Sequence, residues 1–179
     1  MDTANQSRFE QLVLRHLDAA HNLARYLTGN DADADDVVQE AFLRALRHFH
    51  TFSGEDARAW LFVIIRHASY DLLRQQSRGR FVAIDDVPET VSAMSVESPS
   101  VAIDQRLDWS RVEQAMQSLP VEFREVIVLR EVEGLSYAAI GEITGIAAGT
   151  VMSRLSRARK RLHVLLAPSR SASSDREVH

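Results

Sequence analysis

The sequence contains no cysteine. That removes disulfides, thiolate metal sites, a thiol nucleophile and direct thiol sensing together, and it fits a reducing compartment. Glycine and proline are scarce, at 7 and 4 of 179 residues. No apolar run approaches the roughly 20 residues that a membrane span requires, and the opening MDTANQSRFEQ lacks the basic-then-apolar pattern of a secretion signal. A soluble, cytoplasmic protein without membrane insertion is expected. An excess of positive charge is also missing, because the formal net charge is −4. Any contact with nucleic acid must therefore come from local patches.

What the sequence does have is apolar residues, 45% of the chain, recurring at helical rather than alternating spacing. The expected class is all-α, with material for one substantial core or two small ones. A first helix is predicted from Ser7 to Thr28, stopped by Gly29-Asn30. A second begins with Asp33, Asp35 and Asp36, acids that complement the positive end of a helix dipole. It ends near Phe52-Ser53-Gly54, with Phe42, Leu46 and Phe49 assigned to the core. A third spans Asp56 to Gln76, with Trp60 as a core anchor in step with Ile64. Three helices with short joints make a bundle over residues 1–80.

From 81 to 104 the composition shifts. Asp85, Asp86, Glu89, Glu97 and Asp104 occur without a lysine or arginine, beside Pro88, Pro99 and several serines, the composition of a flexible acidic linker. Helical patterning resumes over 105–167 in four segments: Gln105 to Gln117, Pro120 to Glu131, Ser136 to Ile143 and Ala148 to Leu166. The polar tail, 168–179, is expected to be disordered. The expected organisation is two small helical domains joined by the linker.

The stretch YAAIGEITGIAAGTVMSRLSRARKRL, residues 137–162, spaces its glycines by four. A membrane pairing motif is excluded by Glu142 within it and charges around it. A phosphate loop is excluded by the absence of GxxxxGK[ST] and of a preceding strand. A helix-turn-helix fits. Ser136 caps a short helix whose Ile140 and Ile143 face inward, Gly145 turns the chain with positive φ, and Ile146 plugs the corner. The following helix carries Val151, Leu155 and Leu162 on one stripe, with Arg154, Arg157, Arg159, Lys160 and Arg161 around it and no acid. Such a surface suits phosphates, and the small Ala148, Gly149 and Thr150 permit close approach to a groove. A basic solvated helix is the plainer alternative.

Catalysis finds no support. The 7 histidines are scattered, and His48 and His50 diverge on a helix rather than converging as an i, i+4 metal pair. No nucleophile, base and orienting group can be assembled from spacing. The expectation is a non-enzyme with no cofactor and no metal.

The stretch 119–162, LPVEFREVIVLREVEGLSYAAIGEITGIAAGTVMSRLSRARKRL, resembles region 4 of the sigma-70 family, especially its extracytoplasmic-function (ECF) group. DADDVVQEAFLRALRHFHTF, residues 33–52, is similar to the group's region 2.2, and RAWLFVIIRHASYDLLRQQSR, residues 58–78, to regions 2.3 and 2.4. The resemblance covers about residues 7 to 166. It implies a promoter-specificity subunit that binds core RNA polymerase, melts a −10 element with its first domain and reads a −35 element with its second.

By the same resemblance, Asp36, Gln39, Glu40, Leu43, Arg44 and Arg47 face the β′ clamp helices of polymerase, and the second domain meets the β flap. An ordinary amphipathic helix is the competing reading of that face. Capture of unstacked bases calls for a pocket, polar readers and cations; Phe52, Ser53 and Arg58 at the loop, and Arg66, His67, Tyr70 and Arg74 on the following helix, are the candidates. For the −35 element the candidates are Ser136, Ala148, Gly149 and Thr150, with Ser153, Arg154, Arg157 and Lys160 further along. Four positions depart from the family pattern: Val63 where a basic residue is frequent, His67 for a common Asn, Ala147 for a common Pro and Met152 for a common Lys or Arg. The resemblance also implies that the acidic linker occupies a nucleic-acid path in polymerase until RNA displaces it, and that an anti-sigma factor is a possible partner. A self-sufficient helix-turn-helix regulator and a helical adaptor remain alternatives. The first predicts dimeric binding to duplex DNA without polymerase, although no obvious dimerisation helix is present and a monomer is expected. The second predicts dispensable arginines.

Overall fold

The computed structural model describes residues 3–54, 56–78 and 105–167. The predicted linker and tail lie outside the described residues. Within them the chain forms eight α-helices: α1 Thr3–Leu12, α2 Leu17–Thr28, α3 Asp31–His48, α4 Ala57–Arg78, α5 Gln105–Gln117, α6 Val121–Ile127, α7 Tyr137–Thr144 and α8 Ala148–Leu166.

The long first helix expected from Ser7 to Thr28 is two helices. A single 3-10 turn, Leu14–His16, separates α1 from α2. Periodicity does not register the break because Phe9, Val13, Ala20 and Ala24 keep one helical phase across it, and all four are buried. Leu14 and Leu17, by contrast, are each 43% exposed. Gly29, with φ of 89°, closes α2, and Asn30 opens α3 by accepting the Asp33 amide at 2.8 Å, which satisfies one of the orphan donors of the first turn.

The buried stripe of α3 is Ala34, Val37, Val38, Ala41 and Ala45, continued by Phe49. Leu46 was assigned to the core and is instead 36% exposed. It lies one residue, or about 100° of helix, beyond Ala45. Phe49 stacks on Phe52 with centroids 5.9 Å apart, and Trp60 meets Phe52 at 5.1 Å. This aromatic cluster anchors the loop between α3 and α4. The fully buried Phe62 and Ile65 carry the α4 side of the core.

In the second half, α6 continues into a π turn, Val128–Val132, in which Glu133 donates its amide to the Val128 carbonyl at 3.0 Å. The extra residue per turn keeps both Val128 and Leu129 buried and delivers the chain to Gly134, whose φ is 69°. α7 and α8 follow with the bounds the sequence suggested to within a residue.

The two predicted domains do not stand apart. α2 packs on α6, α4 packs on α7, and the buried apolar residues from Phe9 to Ala158 form one continuous cluster. Periodicity shows that a helix has an apolar face, but not which partner covers it.

Candidate nucleic-acid interface

The helix-turn-helix is built from local chemistry. The Ser136 hydroxyl accepts the Ala139 amide at 3.1 Å and caps α7. Gly145 sits at φ 74°, the left-handed conformation expected for it, and returns its amide to the Gly141 carbonyl at 2.8 Å. Gly141 is the tighter requirement, because a Cβ there would lie 2.8 Å from the Ile146 carbonyl oxygen. Val151, Leu155 and Ala158 seat α8 against the core. Its first turn, Ala148, Gly149 and Thr150, is exposed and carries no side-chain cap, and the space around Gly149 is open.

The cations of α8 divide into two groups. Arg159 pairs with Glu131, and the Arg161 guanidinium lies 5.1 Å over the Phe123 ring, so both serve their own fold. Ser153, Arg157 and Lys160 are exposed with Ser136, while Arg154 is half-buried and close enough to Glu125 to favour its ionised form. Met152 is 55% exposed on the same helix.

On α3, the side chains of Asp36, Gln39, Leu43 and Arg47 are exposed at spacings of three and four, and therefore share one face. Glu40 and Arg44 are half-buried beside them. Arg44 donates to Glu40 at 2.7 Å and to Asp71 of α4 at 3.1 Å, which fixes the guanidinium between the two helices. Leu43 adds apolar area, being 44% exposed.

The candidates around α4 separate. Phe52 is buried, only 7% exposed, inside the aromatic cluster. It supports the loop through ring packing against Phe49 and Trp60. Ser53, His67 and Arg74 are exposed. The remaining three meet the second half of the chain. Arg58 donates to the Glu133 carbonyl at 2.9 Å and pairs with the Glu133 carboxylate. Arg66 Nε donates to Glu125 at 2.7 Å. The Tyr70 hydroxyl donates to the same carboxylate at 3.2 Å.

Sequence-based reasoning did not anticipate Glu125, although a signal was present. Glu125 occupies a core phase of α6, four residues after Val121 and directly before the apolar run Val126 to Leu129. It is 1% exposed. Burial raises its pKa above the ordinary carboxylate range, against the opposing pull of Arg66 and Tyr70. Burial likewise drives the Tyr70 phenol well above its usual value, with Glu125 adding to the effect. Among the described residues no cluster of His, Asp and Glu suits a metal, and no helix is long and apolar enough to cross a membrane.

This geometry has close counterparts among known proteins. Residues 12–79 match the family model described as Sigma-70 region 2, and residues 109–162 match that described as Sigma-70, region 4. The chain belongs to the sigma-70 family. Its curated relatives place it in the ECF group of that family. It is 36% identical over 166 residues to the ECF RNA polymerase sigma factor SigE of Mycolicibacterium smegmatis, covering 93% of this chain and 64% of SigE. It is 35% identical to the ECF RNA polymerase sigma factor SigM of Mycobacterium tuberculosis, covering 88% of this chain and 76% of SigM. Among solved structures, it is similar to the sigma factor RpoE of Bartonella quintana in complex with the anti-sigma factor NepR, with a TM-score of 0.71, 32% identity, and 91% of this chain and 99% of that one covered. CnrH in complex with the cytosolic domain of CnrY gives 0.65 and 31%, covering 90% and 88%. In the family's terms, α2 to α4 form region 2 and α5 to α8 form region 4.

Proposed function

We propose that this protein is an ECF sigma factor that binds core RNA polymerase and directs promoter-specific transcription initiation. The observation that carries the reading is the joint presence, in order, of a region 2 with an open α3 face and a region 4 with a cationic recognition helix.

In this reading Asp36, Gln39, Leu43 and Arg47 dock on the β′ clamp helices, with Glu40 and Arg44 bracing the face, while region 4 rests on the β flap. The first turn of α8, with Ser153, Arg154, Arg157 and Lys160, enters the major groove of the −35 element, and Ser136 contacts its backbone. Arg58, Arg66, Tyr70, Ser53, His67 and Arg74 take the −10 element once its strands separate. Separated bases expose faces and edges that a duplex hides, so aromatic and cationic groups gain contacts only with the open form. The sigma subunit performs no catalysis itself; polymerase makes the phosphodiester bonds. It acts in the cytoplasm as a monomer until it joins polymerase. The likeness to RpoE with NepR and to CnrH with CnrY supports an anti-sigma factor as a further partner.

The test is transcription from a genomic promoter pool by purified core polymerase with and without this protein. New start sites that require both, and that share elements at −35 and −10, are the expected result. No new starts, with a duplex footprint by the protein alone, would identify a self-sufficient regulator instead.

A further inference from the structure

The exposed face of α8 is divided lengthwise. Ser153, Arg157 and Lys160, at steps of four and three, make one polar and cationic strip. Ala148 and Met152, four residues apart, make an apolar strip beside it, and Met152 is 55% exposed. Met152 lies one residue beyond the buried Val151, about 100° further around the helix, so the core does not hold it. From Ala147 to Lys160 every other exposed side chain is small, hydroxylic or cationic. The thioether is the odd group on this surface.

Its place near the start of the helix gives it a direction. Side chains on an α-helix lean toward the N-terminus and lie over the preceding turn. The residues three and four positions before Met152 are Gly149 and Ala148, and the space around Gly149 is open, so that turn does not screen the thioether. The turn itself is held in place. The Ala147 carbonyl accepts the Thr150 and Val151 amides at 2.9 and 3.0 Å, and the Ile146 amide returns to the Gly141 carbonyl at 3.2 Å. The first turns of a recognition helix are the part that reaches base edges in the major groove. A thioether brings neither charge for a phosphate nor a hydrogen for a base acceptor; the groove feature that an apolar side chain recognises is the thymine C5-methyl group.

We propose that Met152 is a specificity-determining residue whose side chain packs on the C5-methyl of one thymine in the −35 element. The family commonly carries a basic residue at this position, so the contact is a feature of this chain. It rests on the reading of α8 as the −35 helix. A basic side chain at the position adds attraction to phosphate that is blind to sequence, whereas methionine adds a preference among bases. Burial of one methyl group corresponds to about a four-fold difference in affinity.

The test removes that methyl and leaves every hydrogen-bonding group of the base pair intact. Holoenzyme is assembled from core polymerase and the full chain, and its affinity is measured for duplex fragments of the strongest promoter found in the transcription assay. In successive fragments each thymine of the −35 element, on either strand, is replaced by deoxyuridine. Wild type is expected to bind about four-fold more weakly at one position and to ignore the change at the others. Met152→Ala is expected to bind the unmodified promoter more weakly by a similar factor and to lose the response to deoxyuridine at that position. Met152→Leu, still apolar, keeps the response, and Met152→Gln, similar in length but polar, loses it. Because Met152 is exposed, all three variants are expected to melt with wild type. A −35 element with no thymine methyl that affects wild-type binding, or an equal deoxyuridine penalty in wild type and Met152→Ala, overturns the proposal. Scrambling the whole −35 element tests the underlying reading separately. Unchanged affinity removes α8 as its reader, whereas a sharp loss together with equal deoxyuridine penalties keeps that reading and overturns the methyl contact alone.

Discussion

Glu125 concentrates at one atom group the tension between burial and pairing. Its carboxylate receives Arg66 and Tyr70, yet burial outweighs them and raises its pKa above the usual carboxylate range. In the unfolded chain the group titrates normally. The folded form therefore binds more protons in the window between the two values, and the stabilisation is fully present below the ordinary carboxylate pKa and lost as pH rises through the raised one. Thermal unfolding of wild type and Glu125→Gln across pH 4 to 8 is expected to differ by an amount that grows in wild type's disfavour toward neutral pH. A difference independent of pH would contradict the assignment. Gly141 makes a sterically simpler case. Gly141→Ala sets a methyl 2.8 Å from the Ile146 carbonyl oxygen, backbone that cannot swing aside, and is expected to cost about 1–3 kcal/mol in denaturant unfolding. Gly149→Ala, in open space, is expected to stabilise the chain by up to about 1 kcal/mol through helix propensity, and to weaken −35 binding where the groove lies close.

At the scale of the element, α3 and α7 each use a short, locally coded start, a side-chain oxygen that caps the first turn. The Asn30 side chain accepts from the Asp33 amide and donates to the Asp33 carboxylate at 2.7 Å, and Gln76 of α4 donates to that carboxylate at 3.0 Å. Together these hold the Asp33 pKa below its ordinary value, the Gln76 bond contributing most. Asn30→Ala is expected to cost about 1 kcal/mol, read as a melting temperature lower by roughly 2–4 °C for a chain of this size. On α8, Met152 stands exposed among cations at a position where the family commonly carries a basic residue. Met152→Arg is expected to steepen the logarithmic salt dependence of −35 binding by about one unit. An unchanged slope would mean that this face of α8 does not meet phosphate. The helices themselves were legible because apolar stripes and caps act within one or two turns. The 3-10 break at Leu14–His16 was not, since it preserves the helical phase on both sides.

Across the whole molecule, the exposed face of α3 can be changed without touching the buried core. Leu43→Asp changes a residue that is 44% exposed, so the fold is expected to survive with an unchanged circular dichroism spectrum and melting temperature. Assembly with core polymerase, measured by co-elution or fluorescence titration, is expected to weaken at least ten-fold, as for loss of about 1.4 kcal/mol or more. Loss of folding in this variant would instead place Leu43 in the core. The arginines of α4 and α8, the mixed face of α3 and the glycine turn were legible as residue types at helical spacing. The burial of Phe52 was not legible, because an aromatic residue at a loop has the same sequence signature whether it meets a base or a neighbouring ring.

The sequence alone determined the all-α class, the helix-turn-helix and its capping residues, and the membership of two sigma regions in order. Each of these depends on spacing, caps or backbone freedom within a few residues. Only the tertiary structure decided which face of region 2 meets region 4, and hence that Arg66 finds Glu125 across 59 positions of chain and Arg58 finds Glu133 across 75. Charge signs say that such residues attract. Which of many possible pairs closes is set by how two apolar faces dock and what their burial forces the polar groups between them to accept.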